Sequence, residues 1–126
     1  MKKKIMVVDD EPDQLLTVKQ VLEDMEEEYE VICVDSGIRC LDLLKNKNIP
    51  DLILLDLLMP EMNGWELISK LKQNLKWRNI TVIFLTAIDD ETSKITGKNI
   101  AEEFIEKPFD ASEFKNKIKK VLENID

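Results

Sequence analysis

The sequence contains no histidine and only two cysteines, three glycines and four prolines among 126 residues. Each shortage excludes something. Without histidine there is no imidazole base, no histidine metal ligand and no phosphohistidine carrier. Cys33 and Cys40 form no Cys-x-x-Cys pattern and lie in apolar contexts. Both read as reduced, buried fillers rather than redox or metal groups. Long apolar runs are missing too. Leu52-Ile53-Leu54-Leu55 is typical of the longest, far too short to cross a bilayer. The basic start Met1-Lys2-Lys3-Lys4 is followed only by Ile5 to Val8 before Asp9 and Asp10 interrupt. That is no signal-peptide core, so the expected location is the cytoplasm.

What is abundant is charge. Charged residues make up 35% and apolar ones 44%, a balance that fits a folded globular domain rather than a disordered tail. The formal net charge is −8, which repels phosphate backbones and anionic lipid. Direct nucleic-acid binding and membrane insertion are therefore not expected. Lys115, Lys117, Lys119 and Lys120 give the last segment a basic face, read as solvated charge that complements a helix dipole.

Five short apolar runs punctuate the chain: Ile5 to Val8, Val31 to Val34, Leu52 to Leu55, Val82 to Leu85, and Phe104-Ile105. Continuous runs of this length suit strands buried on both faces, as in a parallel sheet. Segments with helical spacing lie between them. The first begins near Pro12 and is expected to bury Leu15, Val18, Val21, Leu22 and Met25. The second runs from about Ser36 to Asn46 with Ile38, Leu41 and Leu44 inward. The third opens at Asn63-Gly64-Trp65-Glu66, a cap with an acid at its third position, and carries Leu67, Ile68 and Leu71. The fourth, near Asp90 to Lys98, is poor in helix formers, and Ile95 is nearly its only apolar residue. The last carries Phe114, Ile118, Val121, Leu122 and Ile125 on one stripe, with Asp110 and Glu113 as a capping pair. Alternation of this kind gives an α/β fold, a parallel sheet with helices on both faces. Residues 1–126 read as one domain with no output domain appended.

In open parallel sheets ligands bind beyond the carboxyl ends of the strands. Asp9, Asp10 and Glu11 follow the first run, Asp35 the second, Asp56 the third and Thr86 the fourth. Lys107 lies just beyond the fifth. A helix cap is the favoured reading of Asp35 before Ser36. It also suits one acid before Pro12, but not three, and it does not suit Asp56, since Pro60 and Gly64 delay the next helix. Clustered carboxylates resist joint ionisation, and a divalent cation with oxygen ligands, such as Mg²⁺, relieves that cost.

These residues carry a resemblance. Asp9-Asp10, the segment Leu55-Asp56-Leu57-Leu58-Met59-Pro60-Glu61-Met62-Asn63-Gly64, Thr86-Ala87 and Lys107-Pro108-Phe109 stand in order at suitable intervals. The chain resembles the receiver family of two-component signalling, in its single-domain, chemotaxis-regulator-like form, from about Lys4 to Ile125. The resemblance implies five strands in the order 2-1-3-4-5, a flavodoxin-like arrangement. It implies a phosphoryl group passed from a sensor histidine kinase or phosphotransfer protein to Asp56. Asp10 resembles the main ligand of Mg²⁺ (or Mn²⁺), with Asp9 acting through metal-bound water. Asp56 and the backbone carbonyl of Leu58 complete the implied set. Lys107 is implied to neutralise phosphoryl oxygens, and Thr86 with Phe104 to form the switch pair. The implied downstream partner is a protein that docks on the fourth helix, fifth strand and fifth helix. Pro108 resembles the family's usual cis proline. The implied role is a switch rather than a turnover enzyme.

Three departures stand out. Leu58 and Ile88 are apolar where relatives often carry polar groups, and Lys98-Asn99-Ile100-Ala101 replaces the usual Ala-Gly before the fifth strand. The interval from Thr86 to Lys107 is also one residue shorter than in many relatives. Competing readings fit less well. A flavodoxin-like electron carrier wants a phosphate-cradling loop where Asp9 to Asp13 would repel one. A haloacid-dehalogenase-type phosphohydrolase wants an acid where Leu58 stands. A degenerate receiver used only for docking does not need the full set of Asp10, Asp56, Thr86 and Lys107.

Overall fold

A computed structural model of the chain describes residues 2–125. Strands and helices alternate: β1 (Lys3–Val8), α1 (Pro12–Glu23), β2 (Tyr29–Val34), α2 (Gly37–Lys45), β3 (Leu52–Leu55), α3 (Gly64–Gln73), β4 (Thr81–Thr86), α4 (Glu91–Ile100), β5 (Glu103–Glu106) and α5 (Ala111–Glu123). The five strands form one parallel sheet in the order β2-β1-β3-β4-β5, as expected. The strands extend up to two residues beyond their apolar runs.

Because side chains alternate across a strand, each strand feeds two cores. Met6, Val8, Ile53, Leu55, Val82, Phe84 and Phe104 point to the side covered by α2, α3 and α4. Ile5, Val7, Leu52, Leu54, Ile83, Leu85 and Ile105 point to the side covered by α1 and α5. The α5 stripe is confirmed: Phe114, Ile118 and Leu122 are buried, with Val121 and Ile125 at the margin. In α1, Val18 and Leu22 are buried, while Leu15 and Val21, with Met25 just past the helix end, pack partly.

Three expectations are corrected. Cys33 is exposed, not buried, because β2 is an edge strand and only its last residue, Val34, is buried. Cys40 is buried as expected, and no disulfide joins the two. Ile38 is exposed, because α2 turns Gly37, Cys40 and Leu44 inward and leaves Ile38 one position off that stripe. Asp35 does not cap α2. Ser36 does, accepting the Arg39 N–H at 3.1 Å, and Asp35 instead lies 3.9 Å from the Arg39 guanidinium.

Capping elsewhere follows the sequence. Asn63 and Glu66 form a reciprocal capping box at α3. Asp110 accepts the Glu113 N–H at 3.3 Å at the start of α5. Gly64 opens α3 against the acceptor segment, where a Cβ would lie 2.5 Å from the Asp56 carbonyl oxygen and 2.7 Å from Leu57 Cα. Only glycine permits that approach.

Candidate functional site

The site forms where β1, β3, β4 and β5 end. Sheet pairing continues one residue past three of them. Asp9 N donates to the Val34 carbonyl at 3.0 Å, Asp56 N to Val8 at 3.0 Å, and Lys107 N to Thr86 at 2.8 Å. The ladder thus fixes the backbone of Asp9, Asp56 and Lys107 before their side chains meet.

Each buried acid then uses one oxygen locally and offers the other. Asp9 Oδ1 accepts the Glu11 N–H at 3.0 Å, and Asp56 Oδ1 accepts the Leu58 N–H at 3.0 Å. These short turns aim both Oδ2 atoms at Lys107. Its ammonium pairs closely with Asp9 Oδ2 and lies 3.4 Å from Asp56 Oδ2. Glu11 is the N-cap residue of α1 but makes no side-chain cap bond, so capping does not explain the three acids. Asp9, Asp10 and Asp56 each bring a carboxylate oxygen within 4.8 Å of the others. Asp9 and Asp56 are buried, while Asp10 is half-buried.

The balance of charge is unfavourable as it stands. Three carboxylates face one ammonium, and burial pushes the Asp9 carboxyl above its ordinary value despite the opposing pull of Lys107. An oxygen-only set of acids this close suits a hard divalent cation, whose charge would offset the mutual repulsion.

The other expected residues sit beside this cluster. Thr86 is fully buried, and its hydroxyl accepts the Ile88 N–H at 3.4 Å rather than contacting Asp56. Phe104 is buried and edge-on to Phe84, ring centroids 6.2 Å apart. The Lys107–Pro108 bond is cis. Leu58 is 55% exposed, and Ile88 is half-buried against the core. A groove of about 550 Å³ runs from Asp56 along α1 and the start of α5, lined by Gln14, Thr17, Val21, Leu58 and Phe109.

Sequence reasoning missed Gly97. A Cβ there would lie 2.5 Å from Phe104 Cδ2 and 3.1 Å from Phe84 Cδ2, so this glycine makes room for the buried ring. The available signal was a glycine inside a helix, which normally costs about 1 kcal/mol against alanine and needs a packing reason.

Residues 5–119 match the response regulator receiver domain family. The chain belongs to that family. Like other receivers, it is a signalling switch domain. It is 36% identical over 124 residues to "Histidine kinase P4" of Formosa agariphila, covering 98% of this chain and 9% of that protein. It is 34% identical over 128 residues to "Probable transcriptional regulator ycf27" of Porphyridium aerugineum, covering 99% of this chain and 50% of that one. This receiver thus spans half or less of these curated relatives. Among solved structures, it superposes on the receiver domain of a signal transduction histidine kinase from Syntrophus aciditrophicus with a TM-score of 0.83. That match is 33% identical and covers 96% of this chain and 90% of that one. The receiver domain of Francisella response regulator 1452 gives a TM-score of 0.84 at 27% identity, covering 97% and 98%. Among the described residues, no helix is long and apolar enough to cross a membrane.

Proposed function

We propose that Asp56 is the phosphoryl acceptor of this receiver, phosphorylated by a sensor histidine kinase or phosphotransfer protein in the cytoplasm. The observation that carries the reading is the pairing of Lys107 with both buried acids, within reach of the third. In the reaction a carboxylate oxygen of Asp56 attacks phosphorus, the P–N bond to the donor histidine breaks, and the imidazole leaves with the electron pair. Lys107 neutralises phosphoryl oxygens, which the acids alone would repel. Asp10, Asp56 and the Leu58 carbonyl suit Mg²⁺ (or Mn²⁺), with Asp9 reaching it through water. Such an ion, when bound, shields the incoming phosphoryl charge. The groove beside Asp56 suits a docking helix of the donor.

Thr86 reads the new charge by giving up its bond to Ile88 N and turning its hydroxyl toward the phosphoryl group. Phe104 is the packing element that responds, and the face of α4, β5 and α5 presents the change to a downstream protein. The switch has no external substrate to turn over.

Incubation with Mg²⁺ and acetyl phosphate should add the mass of one PO₃ unit to the wild-type chain and none to Asp56→Ala. Equal labelling of both would overturn the assignment. A second measurement concerns lifetime. Leu58 and Ile88 stand two residues beyond Asp56 and Thr86, and apolar groups there hinder an attacking water. Leu58→Asn with Ile88→Glu should speed loss of the phosphoryl group roughly tenfold, about 1.4 kcal/mol in barrier. An unchanged decay rate would remove that role from the two side chains.

A further inference from the structure

The opposite edge of the sheet, where the strands begin, separates its charges. The end of α2 with the loop after it and the segment around the end of α3 carry Lys45, Lys47, Lys70, Lys72, Lys76 and Arg78, all exposed. None of the six forms an ion pair among the described residues, although the chain carries a net charge of −8. Between them lies a groove of about 670 Å³ with Leu44, Ile49, Leu75 and Trp77 in its walls. Leu75 is 76% exposed at its rim. Lys47 occupies the left-handed position after α2, with φ 67°, where glycine is the less strained choice. The bonds from Asn48 N to the Leu43 carbonyl and from Lys47 N to Leu44 hold it there.

The same edge carries the complementary charge. The α1–β2 loop contains Asp24, Glu26, Glu27 and Glu28, followed by Tyr29 and Glu30. Lys115 pairs with Asp24, Lys2 with Glu28 and Lys4 with Glu30. Glu26 and Glu27 are exposed and have no ion-pair partner among the described residues. They rim a hollow of about 380 Å³ that also includes Met25 and Tyr29, with Lys115 and Lys119 on its α5 side. All these loops precede strands of one parallel sheet, so they share one end of the molecule. β2 stands two strands from β3 and three from β4, which places the acidic loop roughly 10–15 Å from the basic groove at the usual strand spacing.

We propose that a second copy of this chain docks end to end on this edge about a two-fold axis. The acidic loop of each copy then meets the basic groove of the other. Leu75 of each faces the hollow beside Met25 and Tyr29. A two-fold satisfies both charged patches at once and closes the assembly, because the same surface serves both partners. A free anionic surface fits less well, since the Glu26–Glu28 loop on the same edge would be driven against it.

Sedimentation velocity of the full chain at low and high salt tests this, with far-ultraviolet circular dichroism confirming that each variant is folded. Wild type should dimerise at low salt and weaken at least tenfold at high salt, where screening shortens the reach of charge to a few ångströms. K45E/K47E/K76E and E26K/E27K should each be folded and monomeric, and mixing the two should restore a one-to-one heterodimer. Asp56→Ala should dimerise like wild type. A monomeric wild type at low salt, a dimer that survives either variant, or a mixture that stays monomeric would each overturn the proposal. So would open-ended polymers. Binding of phosphatidylserine vesicles by a chain that stays monomeric would overturn it too, and would assign the cations to lipid.

Discussion

Helices α4 and α5 both pack beside β5, and they are held there by different means. α5 buries Phe114, Ile118 and Leu122, and Phe109 stacks on Phe114 with centroids 4.6 Å apart. α4 has one buried residue, Gly97, and leaves Ile95 60% and Ile100 39% exposed. Its other tie to the strand is the partly exposed ion pair from Lys94 to Glu106. Burial of three large side chains contributes several kcal/mol, whereas an ion pair near the surface contributes about 0–1 kcal/mol. α5 is the better anchored of the two helices, and α4 buries far less. Phe104, which lies against Gly97, sits beneath the more weakly held helix.

The comparison breaks first at α5. Phe114→Ala should lower stability in urea unfolding by roughly 3–5 kcal/mol, the usual range for emptying a fully buried aromatic site. A loss below about 1 kcal/mol would mean that α5 is no better anchored than α4.

Gly97→Ala tests the other helix, where two effects compete. Alanine improves helix propensity by about 1 kcal/mol, but its methyl must displace Phe104 from 2.5 Å, and overpacking typically costs 1–3 kcal/mol. The net loss expected is therefore roughly 0–2 kcal/mol. In a Phe104→Ala background the clash is gone, so the same substitution should become neutral or stabilising. Additive effects in that double-mutant cycle would show that Gly97 and Phe104 are not coupled.

A third test asks whether the looseness of α4 extends across its whole side of the sheet. Cys40 on α2 belongs to that core, and burial pushes its thiol up to about 12 from an ordinary 9. Between those values the unfolded chain releases the proton and the folded chain keeps it, so stability falls as pH rises above about 9. By pH 10 the loss should reach roughly 1 kcal/mol relative to Cys40→Ala. If wild type and variant share one pH profile, water reaches Cys40 and the core is open.

These contrasts also show what could be read from the chain alone. The five apolar runs and the helical stripes gave the sheet and its helices, because side-chain periodicity is a local property. The acids, Thr86 and Lys107 were legible for a related reason: each stands where a strand ends, and parallel strands bring those ends to one edge. Placement at a margin was harder to read. Cys33 and Ile38 are apolar in character but sit at an edge strand and off a helical stripe, and neither fact is encoded in the residue itself. Ser36 took the capping role expected of Asp35 because both can cap, and backbone geometry chose between them. Gly97 stood out only as a glycine inside a helix, and its reason lies in the ring of Phe104, seven residues away.

The smallest effect separates anchoring from recognition. Ile95 is the most exposed apolar residue of α4, so replacing it removes almost no buried contact. Ile95→Ser should change stability by no more than about 0.5 kcal/mol, the ordinary range for surface substitutions. If the α4–β5–α5 face receives the downstream protein, that same variant should bind it more weakly, because an exposed isoleucine contributes only when a partner covers it. Lys94→Gln is the matched control: it loosens α4 from Glu106 without altering the apolar surface. A binding loss in Ile95→Ser but not in Lys94→Gln assigns the isoleucine to contact. Equal losses in both would instead mean that the position of α4, and not its surface, is what the partner reads.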